Sequence, residues 1–146
     1  MAFVPFTKDD QPTMAAFNER FQQVIDEAVS RGVKIEVGSY VGTNTYGADN
    51  PNSLTFRFKP KLVFVFGRSE NIYTSFGVFA LDQLTDKYIQ GGYFVEVGFN
   101  YDSVATKLYA KKVEKTLSWY STYSSDLQLN GYSDSYTTTY TYFAFG

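Results

Sequence analysis

The sequence predicts a mainly β protein, an N-terminal α-helix followed by an antiparallel β-sandwich of jelly-roll type. Three observations predict it. Apolar residues recur at helical spacing only between Thr13 and Arg31, the apolar period changes to two after Gly32, and turn residues then punctuate the chain at short intervals. Two regions follow, an arm and helix over residues 1–32 and a β domain over residues 33–146. The 146 residues are one domain's worth of material, enough to bury a core without disulfide or metal staples.

The helix is justified by Met14, Phe17, Phe21, Val24 and Ala28, which alternate spacings of three and four as a heptad seam does. Glu19, Arg20, Gln22, Gln23, Asp26 and Glu27 fill the outer positions, and Gly32 is a stop signal. Ile25 and Val29 widen the stripe, so the helix lies either against copies of itself or against a sheet of its own chain. A helix of under about 20 residues is marginal alone in water and must pack on something. The scarcity of other helical material favours a homo-oligomer, with a homotrimer as the preferred state. Upstream, Phe3, Val4 and Phe6 around Pro5 form an extended arm that either covers an end of its own domain or docks on a larger assembly.

Strands are predicted over 33–41, 53–58, 61–67, 73–80, 93–100, 106–113, 116–123 and 135–145. Turns are expected at Lys59-Pro60, Gly67-Arg68-Ser69, Gly91-Gly92, Asn100-Tyr101-Asp102 and Asn130-Gly131. Between Gly38 and Lys61, three glycines and an Asp49-Asn50-Pro51-Asn52 turn precede the alternating Leu54, Phe56 and Phe58. Leu62 to Phe66 has no polar residue and reads as the middle of a sheet, shielded on both faces. Asp82 to Gln90 reads equally as a short helical turn or a loop. The last strand sets Tyr140, Tyr142 and Ala144 on one face and Thr141, Phe143 and Phe145 on the other. The 14 Phe fall mostly at alternating positions and the 13 Tyr beside Ser, Thr, Gly and Asn, so Phe is expected to build the core and Tyr to decorate loops and rims.

Composition removes whole classes of chemistry. There is no histidine and no cysteine, so Ser-His-Asp triads, thiol nucleophiles and most zinc sites are impossible. A net charge of -2 with both signs scattered leaves no basic surface for nucleic-acid phosphates. No apolar run approaches the roughly 20 residues of a membrane span, and the N-terminus lacks the pattern of a signal peptide, so synthesis in a cytoplasm is expected without membrane insertion. Gly38, Gly42 and Gly47 match neither a phosphate loop nor a dinucleotide fingerprint and instead mark bends and close backbone approach. Asp49, Asn50 and Asn52 could offer oxygens to calcium, but Pro51 interrupts them and no glutamate follows at the needed spacing. Asp82, Asp86, Asp126 and Asp134 lie in predicted loops, where two of them could meet, but no pair stands out as the flanking carboxylates that glycoside hydrolysis requires. The sequence therefore assigns no catalytic residue, cofactor or metal.

Binding remains. Trp119, Tyr120, Tyr123, Asp126, Asn130, Tyr132, Asp134 and Tyr136 are the candidate receptor-binding residues, flat rings mixed with small hydrogen-bonding groups that suit a sugar or a protein epitope. The competing reading packs the tyrosines across strands and makes Trp119 a core anchor.

Two stretches also resemble a recurring bacteriophage module of tail-fibre and other virion structural proteins. They are Gly38-Ser39-Tyr40-Val41-Gly42-Thr43-Asn44-Thr45-Tyr46-Gly47 with Asn50-Pro51-Asn52-Ser53-Leu54-Thr55-Phe56 and Phe58-Lys59-Pro60-Lys61-Leu62-Val63, and Trp119-Tyr120-Ser121-Thr122 with Gln128-Leu129-Asn130 and the terminal Tyr140–Gly146. The resemblance covers residues 38–66 and 119–146. It departs over 68–115 and at Phe145, where the pattern has an aliphatic residue. It implies a tail-associated or fibre-like component that binds a host-surface glycan or protein through exposed loops, in a virion assembled with copies of itself and other virion proteins. The alternative is a head fibre or capsid decoration protein that docks on the shell through its N-terminal arm. A third reading is a polysaccharide-degrading enzyme.

Overall fold

The computed structural model describes residues 14–68, 74–98, 101–131 and 139–146. The chain divides into two units, Met1–Ile35 and Glu36–Gly146. Among its described residues the first holds one helix, α1 (Met14–Ser30). It ends where Gly32 predicts. Gly32, at φ +87°, donates its N–H to the Val29 carbonyl at 3.0 Å, and Val33 donates to Ala28 at 3.1 Å, the paired closing bonds of a left-handed glycine cap. On the outer face Arg31 and Glu27 form an ion pair at 2.8 Å. Along the predicted seam, Phe21 and Val24 are exposed and Ala28 is half-buried. Met14 and Phe17 sit in the first turn of the helix, described by backbone alone, and Phe3, Val4 and Phe6 lie outside the described residues.

The described residues after the helix form eight strands, β1 (Ile35–Val41), β2 (Asn52–Thr55), β3 (Leu62–Arg68), β4 (Thr74–Ala80), β5 (Ile89–Gly98), β6 (Tyr101–Val113), β7 (Thr116–Tyr120) and β8 (Thr139–Phe145), all but the first residue of β1 in the second unit. The predicted class, mainly β with antiparallel pairing and an N-terminal helix, is the one observed. All eight strands join in a single sheet of order β1-β8-β3-β4-β5-β6-β7-β2. That sheet curls into a half-barrel, as the side chains show. β4 and β7 are three strands apart, about 14 Å across a flat sheet. Yet the rings of Phe79 and Trp119, one from each, stand 5.1 Å apart. β1 and β7 are six strands apart, about 29 Å if flat, and Tyr40 still meets Trp119 at 6.3 Å.

The concave face is the core. Period-two alternation turns Val63 and Val65 of β3, Phe79 of β4, Phe94 of β5, Leu108 and Ala110 of β6, Leu117 and Trp119 of β7 and Ala144 of β8 inward, every one essentially inaccessible. Each large apolar side chain so buried contributes roughly 1.5–3 kcal/mol. β3 is central, between β8 and β4, as the apolar run Leu62 to Phe66 predicts. Its other face is only half-buried, where Phe66 stacks on Phe143 at 5.4 Å and Phe64 meets Phe145 edge-on at 6.0 Å.

Several details differ from the sequence reading, among them the expected turn residues Gly67-Arg68, which lie in β3, and Tyr101-Asp102, which open β6 because the β5–β6 pairing runs out to Gly98 and Tyr101. Gly91-Gly92 is no turn, because β5 runs through it with a bulge between Gln90 and Gly92. A side chain at Gly92 would collide with the Phe79 ring, so that glycine serves close packing. The undecided stretch Asp82 to Gln90 divides into a short 3-10 turn, Leu81–Gln83, a loop, and the start of β5. No helix among the described residues is long and apolar enough to cross a membrane.

Candidate functional site: the seam between the edge strands

β1 and β2 are the two edges of the sheet, and each leaves one row of backbone groups without a strand partner. The curl turns these edges toward each other. Side chains bridge them: Glu36 Oε2 accepts the Arg57 N–H at 2.7 Å, and Asn52 Nδ2 reaches the Tyr40 hydroxyl at 3.4 Å. These pairs run in opposite chain directions, so the seam has the register of an antiparallel pair without its backbone ladder.

Above the seam the β1–β2 loop meets the segment 121–131. Gly42 allows the approach, since a Cβ there would run into the Gly131 carbonyl. The predicted turn closes slightly earlier than its proline suggests. Asn50 donates its N–H to the Gly47 carbonyl at 3.0 Å, with Gly47 at φ +94°.

Three consecutive residues, Gln128, Leu129 and Asn130, lock this arrangement. Gln128 is wholly inaccessible, and its carboxamide makes four hydrogen bonds. Oε1 accepts from the backbone of Gly47 at 2.9 Å and of Ser121 at 3.0 Å, while Nε2 donates to the Asn50 carbonyl at 2.7 Å and to Asn52 Oδ1 at 3.1 Å. Its own carbonyl accepts the Trp119 indole N–H at 2.7 Å. Asn130 takes the Thr43 N–H at 3.0 Å and donates to the Thr45 carbonyl at 2.9 Å. Between them Leu129 adopts φ +62°, a left-handed conformation costly for a bulky residue. Its side chain is fully buried, and its carbonyl accepts the Tyr40 hydroxyl at 2.7 Å and Asn52 Nδ2 at 3.3 Å, which hold it there.

Tyrosines take part inside the molecule, contrary to the expected division of Phe to core and Tyr to rim. Tyr40 stacks on Tyr140 at 5.2 Å, and the Tyr140 hydroxyl accepts the Gly131 N–H at 2.9 Å. The reason is that both hydroxyls find partners in the 128–131 backbone, which makes their burial tolerable. Burial, reinforced by the neighbouring Tyr140, raises the Tyr40 hydroxyl well above the usual tyrosine range, against a lowering hydrogen bond from Asn52. Burial likewise pushes Tyr140 up to about 12, so both rings stay neutral at physiological pH.

A cleft of about 310 Å³ lies at the seam, lined by Tyr40 and Val41 of β1, Asn52 to Leu54 of β2, the intervening loop, Trp119 and Asn130. The lining carries hydroxyls, amides and apolar carbon and no charged side chain. It can hydrogen-bond a neutral polar molecule.

Of the predicted receptor residues, Trp119 and Asn130 are buried at this seam, with their polar atoms engaged inside. Tyr123 is 70% exposed and Asp126 is exposed in the adjoining segment. Tyr120 belongs to a separate cluster, stacked on Tyr109 at 5.0 Å and edge-on to Tyr88 at 4.9 Å. Tyr132, Asp134 and Tyr136 lie outside the described residues. The loop aspartates Asp82, Asp86 and Asp126 are exposed, and Asp134 again lies outside. Among the described residues no group of three His, Cys, Asp or Glu side chains could hold a metal ion. Sequence reasoning treated Tyr40, Asn52 and Gln128 as architecture or turn and missed that they share one site; the available signal was their presence in the phage-like pattern.

Comparison with protein-family models, curated proteins and solved structures finds no match for this chain.

Proposed function

We propose that this protein is a bacteriophage virion structural component, tail-associated or fibre-like, that attaches to the host surface through the loops around its seam. The observation that carries this reading is convergence. The residues that resemble the phage module come from two distant parts of the chain, and those named in the clamp, Tyr40, Thr43, Gly47, Asn52, Trp119 and Gln128, meet through hydrogen bonds and ring contacts. A pattern whose members interlock specifies a rigid loop platform. A loop face ordered before it meets its target loses less entropy on binding. Exposed Tyr123 gives that face an amphipathic contact.

In this reading the opposed walls of the half-barrel play the part of the two layers of a jelly-roll-like sandwich. The α1 seam gathers copies, a trimer by preference, so that weak loop contacts sum to firm attachment without chemistry. The protein is made in the host cytoplasm and acts on the virion with other virion proteins. The test is competition for host cells. Purified full chain reduces virion adsorption, and Tyr123→Ala, folded to the same melting temperature, competes far less well. Equal competition by the variant overturns the assignment of this loop face.

A further inference from the structure

We infer that the seam cleft binds one neutral pyranose ring, a hexose or N-acetylhexosamine unit, and the inference rests on the host-attachment reading above. Size limits the ligand first. About 310 Å³ is at the lower end of small-molecule sites, which run from roughly 300 to 1,000 Å³, so the cleft suits one sugar ring and not a folded protein loop.

Charge narrows it further. Every side chain lining the cleft is uncharged at neutral pH, since the one ionisable type there, Tyr40, has its hydroxyl raised well above the usual range. A carboxylated or phosphorylated ligand would lose water without gaining a cation, a cost the site does not offset. A neutral polyol meets no such cost.

The lining also has the two textures a pyranose needs. Val41 and Leu54 offer apolar carbon to the C–H face of a ring, while Asn50 offers its amide to the ring's hydroxyls; the Thr43 and Thr45 hydroxyls bond each other at 2.9 Å and accept from Asn130 Nδ2 at 2.8 and 3.1 Å, so they belong to the walls. The lining is divided by role. The amides of Asn52 and Asn130 are spent on Leu129, Gln128 and the Thr43–Thr45 loop, which fixes the walls. The Asn50 carboxamide makes no hydrogen bond among the described residues; only its backbone is used, by Gln128 and Gly47. It is the free polar group at a site already ordered, which is how a preformed sugar site is arranged.

Saturation-transfer NMR on the full chain tests this with the methyl glycosides of glucose, galactose and N-acetylglucosamine, and with glucuronic and sialic acids as charged probes. Transfer to at least one neutral glycoside and to neither acid is expected. Val41→Trp, at a rim position about half exposed, should fill the mouth and abolish the signal. Asn50→Ala, at an exposed turn, should weaken binding by about fivefold to tenfold, the worth of one hydrogen bond. Should Val41→Trp fail to fold, Asn50→Ala alone decides. The inference is overturned if no neutral glycoside receives transfer, if the acids bind as well, or if the folded variants bind like the parent. Wild-type chain that competes for cells but binds no glycoside refutes the cleft alone. A Val41→Trp protein that loses the sugar but still competes keeps the cleft and moves attachment to Tyr123 and its neighbours.

Discussion

Gln128 carries four hydrogen bonds on one carboxamide with no access to water, so its loss is felt at several places at once. Gln128→Leu keeps the volume but leaves the Gly47 and Ser121 N–H groups and the Asn50 carbonyl without that partner. Buried groups left unsatisfied cost about 1–3 kcal/mol each, less where water enters, so a loss of about 3 kcal/mol is predicted. Urea denaturation measures it; a loss below about 1 kcal/mol would mean the network is not a clamp. Tyr140 gives a pH prediction with a definite sign. The folded protein holds its hydroxyl proton up to about 12, while the unfolded chain releases it near the ordinary value of 10.0. The folded state therefore binds the extra proton, and the stability from this group is whole below pH 10 and falls as pH rises toward about 12. Tyr140→Phe, less stable at neutral pH for want of a partner for Gly131, should lose less than the parent over that alkaline window in parallel urea melts. Residues of this kind are the least legible in sequence. Gln128-Leu129-Asn130 reads as a turn because polar side chains pattern as surface, and most of the partners that make their burial possible lie more than 70 positions away.

At the scale of elements, legibility is better where period decides. α1 and most of the strands lie where alternation of three and four, or of two, puts them, because one-sided burial forces that alternation, but β5 and β6 begin at Ile89 and Tyr101, several residues before the expected 93 and 106. Failures fall where glycine has two meanings: Gly91-Gly92 signals a turn in sequence but serves a bulge and close packing in β5. Sheet closure was likewise invisible, since a curl joins strands that no local pattern links. β8 lies between β1 and β3, so removal of residues 139–146 should cost the cooperative unfolding transition and not merely fray an edge. For α1, Phe21 is 38% and Val24 46% exposed along the apolar stripe. If the seam joins copies, the full chain runs as a trimer in light scattering and Phe21→Glu with Val24→Glu runs as a monomer with its β unit intact. An unchanged mass in the double variant would assign the stripe to another role.

For the whole molecule, one curled sheet buries its core on a single face, joins its edges by side chains, and leaves a rigid polar cleft beside exposed loops. The cleft's lining carries no charged side chain, and its walls are tied by Gln128 and Asn130. Copies gathered on a particle would turn weak recognition into attachment. Location on the particle separates this from shell decoration, which the same fold could serve. The decisive measurement is immunogold labelling of intact virions with antibody raised against the β unit, residues 36–146. Gold at the tail tip or fibres is the predicted result, whereas gold spread over the head, or none on the particle, would contradict host attachment by this protein.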